Sequence, residues 1–314
     1  MQAHKSKKIG LALGGGGARG IAHIGVLKAL SKAQIPIDLI VGTSIGSIVG
    51  AVYALDPDVR ELEEKLYQFL KNSSLDKMET LFIKPDDPYI SRQHMLKKVS
   101  NFMRELFIWR TRSTKQWLID TQQIEKLLYP LVENKTFQDC KIPFYAIATD
   151  LISGDRIILE EGLLLDALQA SSSIPGIMQP FSYQGRLLTD GSLLDPVPVE
   201  QARAKGATTV IAVNVGHGVK RKKRFHNIAD IAEQADYIKS LELSKYKLAS
   251  ADVVIEPRVM GISWAHFSKA REIIQRGEIA CWKKLQQIKL ANKTPKKLGI
   301  FKKLFWGKRK TDVV

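Results

Sequence analysis

The pentapeptide Gly42-Thr43-Ser44-Ile45-Gly46 constrains the fold more than any other part of this sequence. It matches the pattern G-x-S-x-G, which forms a nucleophile turn when a strand precedes it and a helix follows it. Here an apolar run, 37–41, precedes it and a run of small and apolar residues, 45–55, follows it. The flanking glycines Gly42 and Gly46 let strand and helix approach closely, and Ser44 then lies at a helix N-terminus, which favours negative charge. The alternative is that Ser44 simply caps that helix.

Short apolar runs and helical patterns alternate along most of the chain. Strands are predicted at 8–13, 37–41, 144–149, 156–160, 186–189, 208–215 and 253–256, and helices at 21–33, 45–55, 121–133, 163–171, 197–205, 226–249 and 267–290. This alternation predicts an α/β fold with a mostly parallel sheet covered by helices on both faces. Residues 57–120 do not fit the alternation, and we interpret them as an insertion that caps the site.

A glycine-rich loop, Gly14-Gly15-Gly16-Gly17-Ala18-Arg19-Gly20, joins the first predicted strand to the first predicted helix. Successive glycines free backbone N–H groups to point at one anionic group, either an oxyanion or a phosphate. The loop also satisfies G-x-G-x-x-G, but a dinucleotide site needs an acidic residue at the end of the second strand. Asp38 stands at the beginning of that strand and not after it, so we interpret the loop as an oxyanion hole that faces Ser44. Arg19 either orients the loop, meets a phosphate or is solvated.

A nucleophilic serine needs a base, and the sequence offers two candidates. Asp190 follows a short predicted strand and precedes Gly191, although Asp-Gly is also a common turn dipeptide. His217 follows the predicted strand 208–215, and the order Ser44, Asp190, His217 is the order of an α/β-hydrolase triad. Spacing in the sequence does not decide between a dyad and a triad, because such sites are defined in space.

Four separated segments carry a family resemblance: LALGGGGARGIAHIGVLKAL at 11–30, IPIDLIVGTSIGSIVGAVYA at 35–54, LDALQASSSIPGIMQPF at 165–181 and LLTDGSLLDPVPVE at 187–200. Together they resemble the patatin-like phospholipases, in particular the bacterial branch related to the catalytic domain of neuropathy target esterase. The resemblance covers roughly residues 8–215, and residues 57–120 match weakly. One departure is Ser192, which stands where the family usually has glycine or alanine.

The resemblance implies a three-layer α/β/α domain, expected over 8–290, that acts on acyl esters of phospholipids or lysophospholipids without a metal or other cofactor. It implies Ser44 as nucleophile and Asp190 as proton acceptor, with His217 reduced to a loop residue. The remaining expected site residues are the oxyanion-hole glycines Gly15, Gly16 and Gly17 and the motif-supporting residues Arg19, Gly20, Gly42, Gly46 and Gly191. An acyltransferase that uses the same acyl-enzyme, and a lipid-binding regulator without catalysis, are the alternatives.

The net charge of +16 is concentrated in two segments. Residues 220–224 and the tail, 291–314, together hold 13 of the 48 basic residues and leave the other 35 nearly balanced by 32 acidic residues. In the tail, lysines mix with aromatic residues over 296–310, a pattern typical of helices at an anionic bilayer surface. Nucleic acid is a less favoured partner, because no recognition motif accompanies the charge. A solvated, disordered tail is the alternative.

Composition also predicts where the chain is located. The sequence has no run of about 18 apolar residues and no secretory signal pattern, so we expect neither a membrane-spanning helix nor export. Its two cysteines, Cys140 and Cys281, are far apart and lack nearby ligands, which argues against a disulfide or a zinc site. We therefore expect a cytoplasmic protein that associates peripherally with the inner membrane surface.

Overall fold

A computed structural model describes residues 7–71, 116–216, 225 and 228–293, and in this part of the chain an eight-stranded sheet forms the centre. The strands are β1 (Ile9–Leu13), β2 (Leu39–Thr43), β3 (Phe144–Asp150), β4 (Arg156–Leu159), β5 (Phe181–Tyr183), β6 (Arg186–Asp190), β7 (Thr209–Val213) and β8 (Val253–Ile255). Their order is β5-β6-β3-β2-β1-β7-β8, and β4 also pairs with β3. The five strands β3, β2, β1, β7 and β8 run parallel to one another. Strands β4 and β6 pair antiparallel with β3, and β5 pairs antiparallel with β6.

Helices cover both faces of the sheet. Those in the described part are α1 (Ala22–Lys32), α2 (Ile45–Leu55), α3 (Val59–Leu70), α4 (Thr121–Val132), α5 (Leu164–Ser172), α6 (Val199–Ala204), α7 (Ile228–Leu248) and α8 (Ala270–Lys293). The larger apolar core lies on the face covered by α1 to α5 and α8, and a smaller one lies under α6 and the end of α7. The predicted α/β class, with a mostly parallel sheet between two helical layers, is confirmed.

Alternation within a single strand explains the two cores. Along β1, Ile9, Leu11 and Leu13 enter the larger core, whereas Ala12 enters the smaller one. Successive side chains of a strand point to opposite faces, so a strand buried on both faces must be apolar throughout. All five residues of β1 are accordingly buried.

The register brings the segments with predicted function to one edge of the sheet. Gly42 of β2 pairs with Leu13 of β1, which in turn pairs with Val213 of β7. The glycine loop, Ser44 and the connection after β7 therefore all leave the sheet at the carboxyl ends of the parallel strands. Open α/β sheets bind their ligands at this edge.

Part of the segment interpreted as an insertion belongs to the core. Helix α3 begins at its N-cap Asp58 and buries Leu62, Leu66 and Phe69 against the larger core. Residues 72–115, the basic segment 220–224 and the tail beyond Lys293 lie outside the described residues, as does His217. The proposed cap and the basic segments therefore stay predictions.

Helices α1 and α8 approach each other so closely that their backbones touch. A Cβ atom added at Gly277 of α8 would lie 2.0 Å from the Ala22 carbonyl oxygen, and one added at Gly25 of α1 would lie 1.9 Å from the Ile274 carbonyl oxygen. These glycines therefore set the distance at which α8 packs over the helix that follows the glycine loop.

We predict that Gly277→Ala destabilises the protein, because the helices must separate to admit the new methyl group. Overpacking of this kind costs about 1–3 kcal/mol, more than the gain in helix propensity of roughly 1 kcal/mol. Urea denaturation measures the change, and Gly216→Ala is the control because its Cβ would meet nothing closer than 3.5 Å. Equal stability of the two variants would contradict the close packing described here.

Candidate active site

Ser44 occupies a sharp turn between β2 and α2 with a backbone conformation that side-chain-bearing residues rarely adopt. Its φ is 55° and its ψ is −128°. The turn is compact because a Cβ at Gly42 would lie 2.5 Å from the Gly46 carbonyl oxygen, and one at Gly46 would lie 2.3 Å from the Leu13 carbonyl oxygen. The glycines on both sides of Ser44 thus permit the contact that holds the serine at the start of α2, as a nucleophile turn requires.

Hydrogen bonds on both sides of Ser44 hold this strained backbone. The Ser44 N–H donates to the Ser171 hydroxyl at 3.0 Å, and that hydroxyl donates to the Ile147 carbonyl oxygen at 2.6 Å. The Ser44 carbonyl oxygen accepts from the Ser47 hydroxyl at 2.6 Å and from the Ser47 N–H at 2.8 Å. The N–H and the carbonyl oxygen of Ser44 are therefore both hydrogen-bonded within the protein. The side-chain hydroxyl is the polar group of Ser44 that these bonds leave for a reaction.

Asp190 is buried beside Ser44 at the end of β6. Its carboxylate accepts from the Ser192 N–H at 2.8 Å, and its own N–H donates to the Ser173 carbonyl oxygen at 2.9 Å. Burial raises the pKa of Asp190, and hydrogen bonds from the Ser44 hydroxyl and from Ser192 partly oppose that rise. A carboxylate that is poorly hydrated and faces a serine hydroxyl is a stronger base than an exposed one.

The peptide between Gly14 and Gly15 is fixed on both sides. His23 lies 2.7 Å through Nε2 from the Gly14 carbonyl oxygen, and the Gly15 N–H donates to the Pro196 carbonyl oxygen at 3.0 Å. Burial lowers the pKa of His23 to about 4, so the ring is neutral near pH 7, and in the tautomer with the proton on Nε2 it donates to Gly14. The bond to Pro196 occupies the Gly15 N–H. Gly15 lies against Ser44 because it has no side chain: a Cβ atom added at Gly15 would lie 3.3 Å from the Ser44 Cβ atom.

The N–H groups of Gly16 and Gly17, both expected to bind the oxyanion, are available as donors. No carbonyl of a described residue accepts from either, whereas the next amide, that of Ala18, donates to the Trp264 carbonyl oxygen at 2.6 Å. The two amides stand at the N-terminus of a short 3-10 helix, Gly17–Ile21, that continues into α1. Arg19 Nε donates to the Gly16 carbonyl oxygen at 3.3 Å and so orients the loop, one of the roles considered for it.

One segment, Asp190–Pro196, contacts every other part of the site. Besides Asp190 itself, the Asp195 carbonyl oxygen accepts from the Thr43 hydroxyl at 2.9 Å, and the Pro196 carbonyl oxygen holds Gly15. The Asp195 carboxylate is fully buried and anchors the segment through Lys247 of α7 at 2.9 Å and through Arg156 of β4. A buried carboxylate with two cations is costly to disrupt, so this segment is rigidly placed.

The remaining motif residues act by close packing. Gly20 is buried against Ile45, and Gly191 is buried against the backbone of Ile147. Ser192 fits the turn: it contacts Gly15 and gives the Asp190 carboxylate a hydrogen bond from its hydroxyl. Two contributions were not predicted from the sequence: that of the His23 side chain, which contacts the Gly14 carbonyl oxygen, and that of Pro196, which acts through its backbone.

Comparison with known proteins gives a consistent result. A family model described as "Patatin-like phospholipase" matches residues 11–203. Lysophospholipase NTE1 of Debaryomyces hansenii is 34% identical over 227 residues, which cover 69% of this chain and 13% of that protein. Lysophospholipase NTE1 of Saccharomyces cerevisiae is 30% identical over 295 residues, 86% of this chain and 16% of that protein. The chain therefore spans only a small part of these relatives.

Two further matches are a mouse protein and a solved structure. Patatin-like phospholipase domain-containing protein 6 of Mus musculus is 31% identical over 210 residues, 66% of this chain and 13% of that protein. Among solved structures, VipD from Legionella pneumophila aligns with a TM-score of 0.46 and 12% identity, over 91% of this chain and 67% of that chain.

Ser192 provides a test of how the Asp190 carboxylate is tuned. A hydrogen bond to the charged form lowers a carboxyl pKa, so Ser192→Ala should raise the pKa of Asp190 further. Because the base works only when ionised, the acid limb of the reaction between Ser44 and a fluorophosphonate should move to higher pH, by about one unit. The rate of inactivation measured across pH gives this limb.

The control for this prediction is Ser182→Ala, which removes an exposed hydroxyl on β5. It should leave the pH profile unchanged. An acid limb that stays in place, or moves to lower pH, in the Ser192→Ala protein would show that the Ser192 hydroxyl does not donate to Asp190.

Proposed function

This chain belongs to the patatin-like phospholipase family, and on that premise we propose that it hydrolyses acyl esters of phospholipids or lysophospholipids with Ser44 and Asp190 as a catalytic dyad. The observations that support this most are that Ser44 and Asp190 are both buried and that the Ser44 hydroxyl is the first of the groups that lower the pKa of the Asp190 carboxyl against the effect of burial. Carboxylic-ester hydrolysis by an activated serine needs that pair and an oxyanion site next to it.

In the proposed mechanism Asp190 accepts the hydroxyl proton as Ser44 Oγ attacks the ester carbonyl carbon. The amides of Gly16 and Gly17 donate to the oxyanion of the tetrahedral intermediate, and each such donor contributes about 3–4 kcal/mol in other hydrolases. Collapse of the intermediate expels the lysolipid or glycerophosphoryl alcohol, which takes the proton from Asp190. Water, deprotonated by Asp190, then attacks the acyl-serine and releases the fatty acid.

The choice of substrate rests on the named relatives. Two of them carry the name lysophospholipase, and the family description names phospholipids. We therefore favour lysophospholipids, with one acyl chain, over triacylglycerols or other esters. An intact nucleophile, base and glycine loop argue against a role in lipid binding alone.

We also propose that the protein works at the cytoplasmic membrane surface. No helix in the described ranges is long and apolar enough to cross a membrane. The basic segments 220–224 and 296–310 supply positive charge that would draw the enzyme to anionic lipid. Electrostatic attraction of this kind weakens as salt is added, because the charges are screened beyond about 10 Å.

The dyad predicts a specific ranking of variants in the hydrolysis of a soluble short-chain ester. Ser44→Ala and Asp190→Asn should each reduce kcat/KM by roughly 10³-fold or more, because neither residue can act alone. His217→Ala should retain most of the activity. Spectrophotometric assay of the purified proteins measures this, with circular dichroism to verify folding.

Loss of activity in a folded His217→Ala protein would assign the proton to a triad and contradict the dyad. Incubation with a panel of phospholipids, lysophospholipids and triacylglycerols, followed by quantification of released fatty acid, tests the substrate. Preferential release from triacylglycerol would contradict the proposed substrate class.

A further inference from the structure

Several large apolar side chains are exposed at the edge of the sheet where Ser44 lies. Leu151 and Ile152 follow β3, Leu193 comes three residues after Asp190, Ile228 begins α7 after β7, and Met260 follows β8. Ile152 is 76% exposed, Ile228 86% and Met260 64%. We call these five residues the apolar rim.

Topology places the rim on both sides of the nucleophile. β2, which carries Ser44 at its end, has β3 on one side and β1, β7 and β8 on the other. All of these strands are parallel, so their connections leave at the same edge. β3 and β8 are four strand spacings apart, about 19 Å at 4.8 Å each, so a flat apolar surface could touch both sides at once.

In the turn from β3 to β4, Leu151 and Ile152 precede three typical turn residues, Ser153, Gly154 and Asp155. Turns between strands are normally formed by Gly, Pro, Asn, Asp and Ser, because these residues suit the backbone and tolerate water. Here Asp150 accepts from the Ile152 N–H at 3.0 Å and pairs with Arg186 at 3.1 Å, which fixes the turn. The two apolar side chains contribute little to this geometry, so their exposure to water is unexplained by folding.

We propose that the apolar rim docks on the surface of a phospholipid layer and so holds the edge of the sheet that carries Ser44 against its substrate. This inference rests on the proposed function, because it is the lipid substrate that makes a lipid layer the partner. Apolar side chains of interfacial proteins enter the boundary between headgroups and acyl chains by about 5–10 Å. The contribution of the rim is hydrophobic, in contrast to that of the basic segments, and persists at high salt.

Two double variants distinguish the effect of the apolar rim from the effect of exposed apolar side chains elsewhere on the surface. The rim variant is Ile152→Ser/Ile228→Ser. The control is Leu163→Ser/Tyr246→Ser, which removes two other exposed apolar side chains. Tyr246 lies on the same face of α7 as Ile228, five turns and about 27 Å further along. Leu163 follows β4, which runs antiparallel to β3, so both control positions lie at the opposite edge.

Binding is measured by sedimentation with phosphatidylcholine vesicles in high salt, where attraction through the basic segments is screened. The rim variant should bind at least about tenfold more weakly than the wild type, since each buried isoleucine favours the lipid by more than a factor of ten. The control should bind as the wild type does. A rim variant that binds like the wild type, or a control that is equally impaired, would overturn the proposal.

The soluble short-chain ester distinguishes docking from catalysis. The rim variant should hydrolyse it at the wild-type rate while losing activity on vesicle lipid. If the rim variant fails to fold, Leu151→Ser/Met260→Ser replaces it, with the same expected and contradicting results. A wild type without esterase activity would refute the proposed function, whereas the vesicle sedimentation would still decide whether the rim binds lipid.

Discussion

The strained backbone at Ser44 is the constraint on which the arrangement of the site depends. A residue with a side chain at φ 55° and ψ −128° costs roughly 1–3 kcal/mol, and persists only where its surroundings enforce it. Here the enforcement comes from α2, which packs against β1 and β2 through Gly42 and Gly46, and from the Ser171 hydroxyl. This turn leaves the Ser44 side chain without a capping hydrogen bond to its own helix, as the proposed dyad with Asp190 requires.

The segment Asp190–Pro196 is a second constraint on the site, because it connects parts of the site that are far apart in sequence. It carries Asp190, the proposed base, and it holds both Thr43, immediately before Ser44, and Gly15, in the glycine loop. Its anchor is the fully buried Asp195 carboxylate with Lys247 and Arg156. One backbone segment therefore positions the proposed nucleophile, the proposed base and the glycine loop relative to one another, which is the pre-organisation that catalysis by electrostatic stabilisation requires.

Features that depend on neighbouring residues could be predicted from the sequence, whereas contacts between residues far apart in the chain could not. The turn at Ser44 is predicted by its own neighbours, because the strand, the two glycines and the helix are contiguous in the sequence. The long strands and helices are predicted by the periodicity of their apolar residues. β5 was not predicted, since it has only three residues and none of them is buried. The assignment of Asp190 as the base rested on the family resemblance, because Asp-Gly is also a common turn dipeptide. The bond between the Ser44 N–H and the Ser171 hydroxyl spans 127 residues, and no local pattern encodes it.

We propose that Asp190 activates Ser44 for attack on an acyl or phosphonyl centre. Mass spectrometry of proteolytic peptides after brief exposure to a fluorophosphonate tests this most directly, because it identifies the modified residue without assuming a substrate. We expect a single adduct on the peptide that contains Ser44 in the wild-type protein, and little or none in a folded Asp190→Asn protein. Equal labelling of Ser44 in both proteins, or labelling at another serine, would contradict it.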